Sequence, residues 1–187
     1  EKIQHDKKKQ VINYKNAWLK VYDVPVMYFP KFFHPDPTVK RQSGFLIPSF
    51  NSANNSSSYL NTPYFFAIAE NKDLTFSPRF YSNNKFLFQT EYRQANLNSN
   101  HITDFSFFRE NDKNNNNHFS YRFDKTLNFE SFETSKVDFK LQRTSSQTYL
   151  KKDKIKSEII DDVDVMENSF KLKLYSNDFS INVETTA

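Results

Sequence analysis

Residues 40–69 read K-R-Q-S-G-F-L-I-P-S-F (40–50), N-S-A-N-N-S-S-S (51–58) and Y-L-N-T-P-Y-F-F-A-I-A (59–69). Two aromatic-rich apolar runs flank an Asn/Ser loop, the pattern of consecutive β-strands joined by a hairpin connection. Each run carries one proline, Pro48 and Pro63. A central strand must donate an N–H that proline lacks, so proline sits at a strand start, an edge or a bulge. Two such prolines in paired strands leave the facing backbones imperfectly zipped. The plainer alternative is that each merely starts or kinks an edge strand.

Downstream the chain is a succession of hairpins. Strands are expected near 44–50, 59–67, 74–81, 85–94, 102–109, 118–127, 135–143, 169–175 and 179–185. Alternation with period two is clear in several. Leu74, Phe76 and Phe80 lie opposite Thr75, Ser77 and Arg79. Phe86, Phe88 and Tyr92 lie opposite Gln89, Glu91 and Arg93, and Phe119, Tyr121 and Phe123 opposite Ser120, Arg122 and Asp124. The second set in each comparison carries repeated charge. A dry sandwich core accepts that only with pairing, whereas a wet lumen accepts it freely. Arg79, Glu91, Arg93 and Arg122 are therefore expected to line a polar lumen.

Connection lengths point the same way. Those after odd-numbered strands include the loop 51–58, the Asn run 111–117 and the charged 144–168, with 82–84 short. Those after even-numbered strands are mostly tight: 70–73, 95–101 and 177–178, with 128–134 intermediate. Long loops on one rim and tight turns on the other is the habit of an outer-membrane barrel. Within the charged 144–168, residues 151–167 could hold a short helix or an extra strand pair, and their acidic cluster could bind a divalent cation, though a solvated loop is the preferred reading. Its Asp161, Asp162 and Asp164 lack the Gly-centred spacing of a calcium loop.

Composition bounds the class without deciding it. Among 187 residues Gly occurs once, Phe 21 times and Tyr 10 times, while hydrophobic residues make up 37%. A low and mostly aromatic apolar content suits strands with one apolar face. The formal charge of +4 is mild, and the basic clusters at 7–9 and 151–156 are short. Lys and Arg are mixed with acids throughout, which weakens a nucleic-acid reading. Cys is absent, so this stretch has no disulfide or thiolate site. The four histidines are scattered without a metal or nucleophile pattern, and one Gly cannot build a phosphate loop. No cofactor, metal site or catalytic set is expected.

Upstream, 10–29 reads as short strands separated by polar turns, and Pro30–Thr38, with three prolines, reads as an irregular rigid linker. The chain starts in a charged segment and stops in what reads as a strand, as a piece of a longer protein would. Trp18 and Tyr28 are either ordinary core aromatics or contacts for an apolar ligand.

The motifs R-x-S-G-F-L-I-P (41–48), P-Y-F-F-A-I-A (63–69), D-L-T-F-S-P-R-F (73–80) and E-Y-R (91–93) resemble the outer-membrane LPS-assembly family, LptD of the OstA type. The resemblance runs in order from about Ala17 to Gln94, with a looser tail through Y-L-K-K-D at 149–153. It implies an all-β fold in which 1–29 ends a periplasmic β-jellyroll. Residues 30–43 would form a hinge, and 44–187 the first strands of an antiparallel, up-and-down transmembrane barrel. It further implies lipopolysaccharide transport to the outer leaflet, with no enzymatic activity. Trp18 and Tyr28 would lie on the lipid path and Pro48 and Pro63 at a lateral gate. Implied partners are lipopolysaccharide, membrane lipids, a lipoprotein plug (LptE-like) and a periplasmic bridge protein (LptA-like). The implied location is the Gram-negative outer membrane with the N-terminal part periplasmic. Two alternatives remain open at this point: a passive porin-like channel and a soluble β-sandwich binding module.

Overall fold

The computed structural model describes residues 2–8, 11–21, 23–36, 39, 41–51, 58–82, 85–109 and 115–187. The chain divides into two compact units, residues 1–44 and 45–187. Both are built from antiparallel β-sheet, with a single helical turn in the second.

The first unit is a three-stranded sheet in the order β1 (Lys2–Asp6), β2 (Val11–Val21), β3 (Val24–Pro35). Strand β1 pairs Ile3 with Tyr14, a strand that the charged start of the chain concealed. Strand β2 is continuous across Asn16, which takes a left-handed φ of 56°, a conformation that Asn tolerates better than most residues. A β-bulge follows at Leu19/Lys20. Asp23, with φ 63°, turns the chain into β3. The expectation of an irregular linker over 30–38 is corrected, because β3 runs through Pro35 and pairs it with Val11. Strand β3 pairs only with β2 among the described residues, and an edge strand accepts prolines on its unpaired side.

The second unit is an eleven-stranded sheet. Its strands are β4 (Gly44–Phe45), β5 (Ser49–Asn51), β6 (Tyr59–Asn61), β7 (Tyr64–Ala69), β8 (Lys72–Tyr81), β9 (Phe86–Ala95), β10 (Ser99–Arg109), β11 (Asn116–Thr126), β12 (Thr134–Thr144), β13 (Ser169–Tyr175) and β14 (Ser180–Thr186). From β8 to β14 each strand pairs with its neighbours in sequence, so the sheet is an up-and-down meander. The first two expected strands are each broken at their proline. β4 and β5 flank Pro48, β6 and β7 flank Pro63, and β6 and β7 both pair with β8. The connections 70–71, 96–98 and 176–179 are tight, while 145–168 is long. Residues 52–57, 83–84 and 110–114 of the expected loops lie outside the described residues.

The two faces differ as the alternation demands. Rings of Phe76, Phe88 and Phe105 form a row across β8, β9 and β10, with centroids 6.1 and 5.8 Å apart. This face is uncovered: Phe80, Phe119, Leu141 and Phe170 are all exposed. The buried apolar side chains belong to the opposite, polar face and to the segment lying on it. Leu87, Phe108, Tyr149, Leu150 and Ile155 form one small core there.

Candidate functional site: a strap on the polar face and an interrupted seam

Segment 145–161, between β12 and β13, crosses the polar face of β8–β12. It opens with one helical turn, α1 (Tyr149–Lys152), which ends on a left-handed Lys154 with φ 50°. Ile155 N–H then reaches back to Leu150 O at 2.9 Å, satisfying a carbonyl at the helix end. Leu150, Ile155 and Ile159 are buried, and Ile159 is 0% exposed. The short helix for which the segment had room is α1, and Asp161 and Asp164 are exposed as a solvated loop would leave them, but residues 149–159 are seated on the sheet and not in solvent. Three apolar residues in a charged run suffice to seat the segment, because the sheet offers Leu87 and Phe108 among its polar positions.

Polar side chains hold the rest of the strap by its backbone. Arg79 donates to Asp153 O at 2.7 Å and Lys154 O at 3.3 Å. Gln89 donates to Lys156 O at 2.6 Å and also to the Asp104 carboxylate at 3.0 Å. Arg122 reaches Glu158 O at 3.3 Å and Gln142 reaches Ile159 O at 3.2 Å. Donors from β8, β9, β11 and β12 thus capture five carbonyls along one extended segment. A buried carbonyl left without a donor costs about 1–3 kcal/mol, so the set acts as a template for this path.

The structure places Arg79, Glu91, Arg93 and Arg122 on one face of the sheet. Arg93 bonds Asp73 at 3.0 Å and lies 3.6 Å from Glu91 and 3.7 Å from Glu158 of the strap. Arg79 also stands over the Tyr59 ring at 5.3 Å. Asp161 pairs with Lys140 at 2.6 Å, and that hydrogen bond holds its carboxyl below the usual range. Asp164 pairs with Lys151 at 2.9 Å, so these acids meet lysines. No group of three metal-ligating side chains is present among the described residues.

One constellation escaped the sequence reading. Ser106 Oγ lies 2.5 Å from His118 Nδ1 and 2.8 Å from the Tyr149 hydroxyl, while His118 Nε2 lies 3.6 Å from Asp104. Ser106, His118 and Asp104 have the residue types of a nucleophile, base and orienting acid. All three are at most 1% exposed beneath the strap, and the Ser106 oxygen is already engaged on two sides. Its geometry is that of a polar clasp between sheet and strap. Burial pushes the Tyr149 phenol above the usual tyrosine range, so it stays protonated in that clasp. The register pairs Ser106 with His118, but only the fold brings Tyr149 to them across 43 residues.

In the first strands of the sheet the prolines interrupt pairing. Leu46 N–H bonds Pro63 O at 2.9 Å, and Thr62 N–H bonds Pro78 O at 3.2 Å. Neither bond can be returned, because both acceptors belong to prolines. Between the Leu46–Pro63 bond and the Ser49–Asn61 pair the first strand advances three residues and its partner two, the count of a β-bulge at Pro48.

In the first unit Trp18 and Tyr28 face one another across β2 and β3, with ring centroids 4.8 Å apart. Trp18 is 55% exposed and Tyr28 44%, and the Tyr28 hydroxyl donates to Asn16 at 2.7 Å. Both rings lie at the surface of this unit.

Comparison with known proteins bears on the whole arrangement. Residues 12–159 match the family model described as LptD protein. The LPS-assembly protein LptD of Pseudomonas aeruginosa UCBPP-PA14 is 37% identical over 97 residues, which is 52% of this chain and 10% of that protein. The protein of the same name from Shewanella oneidensis is 37% identical over 93 residues, 50% of this chain and 12% of its own length. That from Pseudomonas putida W619 is 42% identical over 78 residues, 42% of this chain and 8% of its own. The chain thus spans about a tenth of the length of the curated relatives it matches. A match running through the Trp18–Tyr28 pair, the interrupted seam and most of the strap, with aromatic and charged faces segregated as a barrel wall requires, means that this chain belongs to the LptD protein family.

Proposed function

We propose that this chain forms part of an outer-membrane machine that inserts lipopolysaccharide into the outer leaflet. The observation that carries the reading is the segregated meander, with an uncovered aromatic face and a charged opposite face, in a chain of this family. An uncovered apolar face suits acyl chains of a bilayer, since transmembrane strands alternate lipid-facing and lumen-facing residues. Residues 1–29 would complete a periplasmic jellyroll whose exposed Trp18 and Tyr28 receive the acyl chains. The sugar headgroup would cross along the polar face. The first strands, weakened at Pro48 and Pro63, would open laterally into the membrane. A lipoprotein plug inside the barrel and a bridge protein feeding the jellyroll complete this reading.

A passive channel fits less well, because the strap 145–161 lies across the polar face that such a channel keeps open. A soluble sandwich fits less well still, because nothing covers the aromatic face among the described residues.

The test uses the full-length parent with a photo-reactive residue at Trp18 or Pro48 in living cells. Crosslinks from both positions to lipopolysaccharide, in a protein that fractionates with the outer membrane, support transport. Membrane fractionation without adducts at either position points to a passive barrel, and a soluble product overturns the reading.

A further inference from the structure

We propose that the rim of the aromatic face at the tight-turn end of β8–β11 is a binding site for the headgroups of anionic glycerophospholipids. The proposal rests on the reading of that face as the lipid-facing side of a membrane wall, and it names the lipid that the wall selects. The pairing registers assign each strand position from β8 to β14 to one face or the other. Within these strands no Asp or Glu falls on the aromatic face. The Lys and Arg that fall there are Lys72 and Lys125 at the tight-turn end and Arg109 and Arg143 at the other. The polar face, by contrast, mixes both signs throughout.

Cations alone, at two levels of an otherwise apolar face, match a bilayer with a headgroup layer on each side of its hydrocarbon. Ser99, opposite Lys125, and Arg109 mark the two ends of β10. The stretch between them is about 33 Å of strand, or about 25 Å of height at a tilt near 40°, the height of a transmembrane apolar band. The row of Phe76, Phe88 and Phe105 crosses the sheet between the two levels. At each level a long cationic side chain can lay its stem on the apolar surface and hold its charged head among the headgroups.

The tight-turn level also carries a polar chain that hydrocarbon would not accept. The Tyr92 hydroxyl donates to Gln94 Oε1 at 2.7 Å, Gln94 Nε2 donates to Asn96 Oδ1 at 2.9 Å, and Asn96 Nδ2 donates to Ser99 Oγ at 3.0 Å. His101 continues the chain, with Nε2 3.4 Å from Ser99 Oγ and Nδ1 3.0 Å from the Tyr121 hydroxyl. It crosses β9, β10 and β11 between Lys72, which stands opposite Gln94, and Lys125, which stands opposite Ser99. The amides keep a second N–H after these bonds, which phosphate and glycerol ester oxygens can accept. The two lysines have no carboxylate on this face to pair with, so they favour a net anionic headgroup over a zwitterionic one. The turns 70–71 and 96–98 are too short to rise around a large sugar headgroup, which leaves this rim to a small phospholipid.

The experiment reconstitutes the full-length protein in vesicles of phosphatidylethanolamine and phosphatidylglycerol with added lipopolysaccharide. A benzophenone side chain replaces Thr103, which stands between Tyr92 and Tyr121, or Phe105, one step nearer mid-height. Phosphatidylglycerol adducts at 103 about fivefold above that lipid's share of the vesicle, and adducts at 105 in proportion to the share, are expected. Lys72→Gln with Lys125→Gln should bring position 103 down to the share, while Lys72→Arg with Lys125→Arg should keep the enrichment. Adducts at both positions in simple proportion to the share overturn the headgroup site and leave the membrane wall standing. Enrichment that survives the glutamine pair overturns the part given to the lysines, and lipopolysaccharide captured at 103 in place of phosphatidylglycerol overturns the choice of lipid. Lipid adducts at neither position overturn the membrane wall itself. Heat-modifiable gel mobility of the glutamine pair shows that it remains folded.

Discussion

Leu46 and Pro63 share one backbone hydrogen bond, 2.9 Å from Leu46 N–H to Pro63 O, where an opposed antiparallel pair of this kind exchanges two. Thr62 and Pro78 repeat the arrangement one strand further in, at 3.2 Å. With the bulge at Pro48, the defects at 48 (between β4 and β5), 63 (between β6 and β7) and 78 (within β8) are neighbours across the sheet. A line of missing donors running across strands makes a crease, because each neighbour that might compensate is itself deficient.

Pro63→Ala and Pro78→Ala each return one donor to an acceptor already in place, Leu46 O and Thr62 O. Each restored bond contributes roughly 1 kcal/mol net, and more where no water substitutes. In detergent-purified full-length protein both variants should need a higher temperature to lose their folded gel mobility. The pair together should slow delivery of lipopolysaccharide to the cell surface. Unchanged melting in both variants would show that the missing donors do not weaken this region.

Leu150→Ala should loosen the strap without unfolding the sheet. A buried leucine truncated to alanine costs about 2–5 kcal/mol, here charged to a local docking rather than to the ladders. Limited proteolysis should cut between 145 and 161 faster than in the parent chain, with the strands intact. Equal cutting rates would mean that the carbonyl clamps from Arg79, Gln89 and Gln142 suffice alone.

Strap docking should weaken in alkali through Tyr149. Burial raises its folded-state value above that of the free side chain, so docking is at full strength below the unfolded value, about 10. It falls as pH rises beyond that, because the released strap gives up a proton that the docked one keeps. Tyr149→Phe should dock less tightly near neutrality, having lost the Ser106 bond, and lose most of this alkaline dependence. The same proteolysis assay run between pH 8 and 11 measures both effects.

Neighbours on β13 separate the faces. Leu172→Arg puts a charge on the aromatic face and should cost about 2–4 kcal/mol if that site lies at mid-bilayer. Lys171→Gln on the polar face loses only a solvent-screened pair with Glu184 and should leave stability nearly unchanged. Yield of folded full-length protein from outer membranes should fall sharply for the first and hardly for the second.

The strands from β8 onward were legible because alternation survives in each of them: Phe76 and Phe88 on one side, Ser77 and Gln89 on the other. Pro48 and Pro63 were legible as defects because proline carries the same lesion wherever it stands. Strand β3 was hidden by the breaker reading of Pro30 and Pro35, a reading that holds for central strands and fails at an edge. The strap was hidden for a different reason. Leu150, Ile155 and Ile159 have no common period, and their burial depends on Leu87 and Phe108, which the sequence places among polar lumen positions. The Ser106–His118–Tyr149 clasp needed the same missing element, so no local motif announced it.

Each ladder from β8 to β14 joins strands adjacent in sequence, so that part of the wall can be laid down one hairpin at a time. The strap obeys a different clock. Its Asp153 carbonyl waits for Arg79, 74 residues earlier, and its Ile159 carbonyl for Gln142 of β12. It can lock only after β8 to β12 stand in register, and a slip of one residue anywhere among them turns Arg79, Gln89, Arg122 or Gln142 away from it. Full docking of the strap is therefore a readout of register, complete only on strands that have been counted correctly.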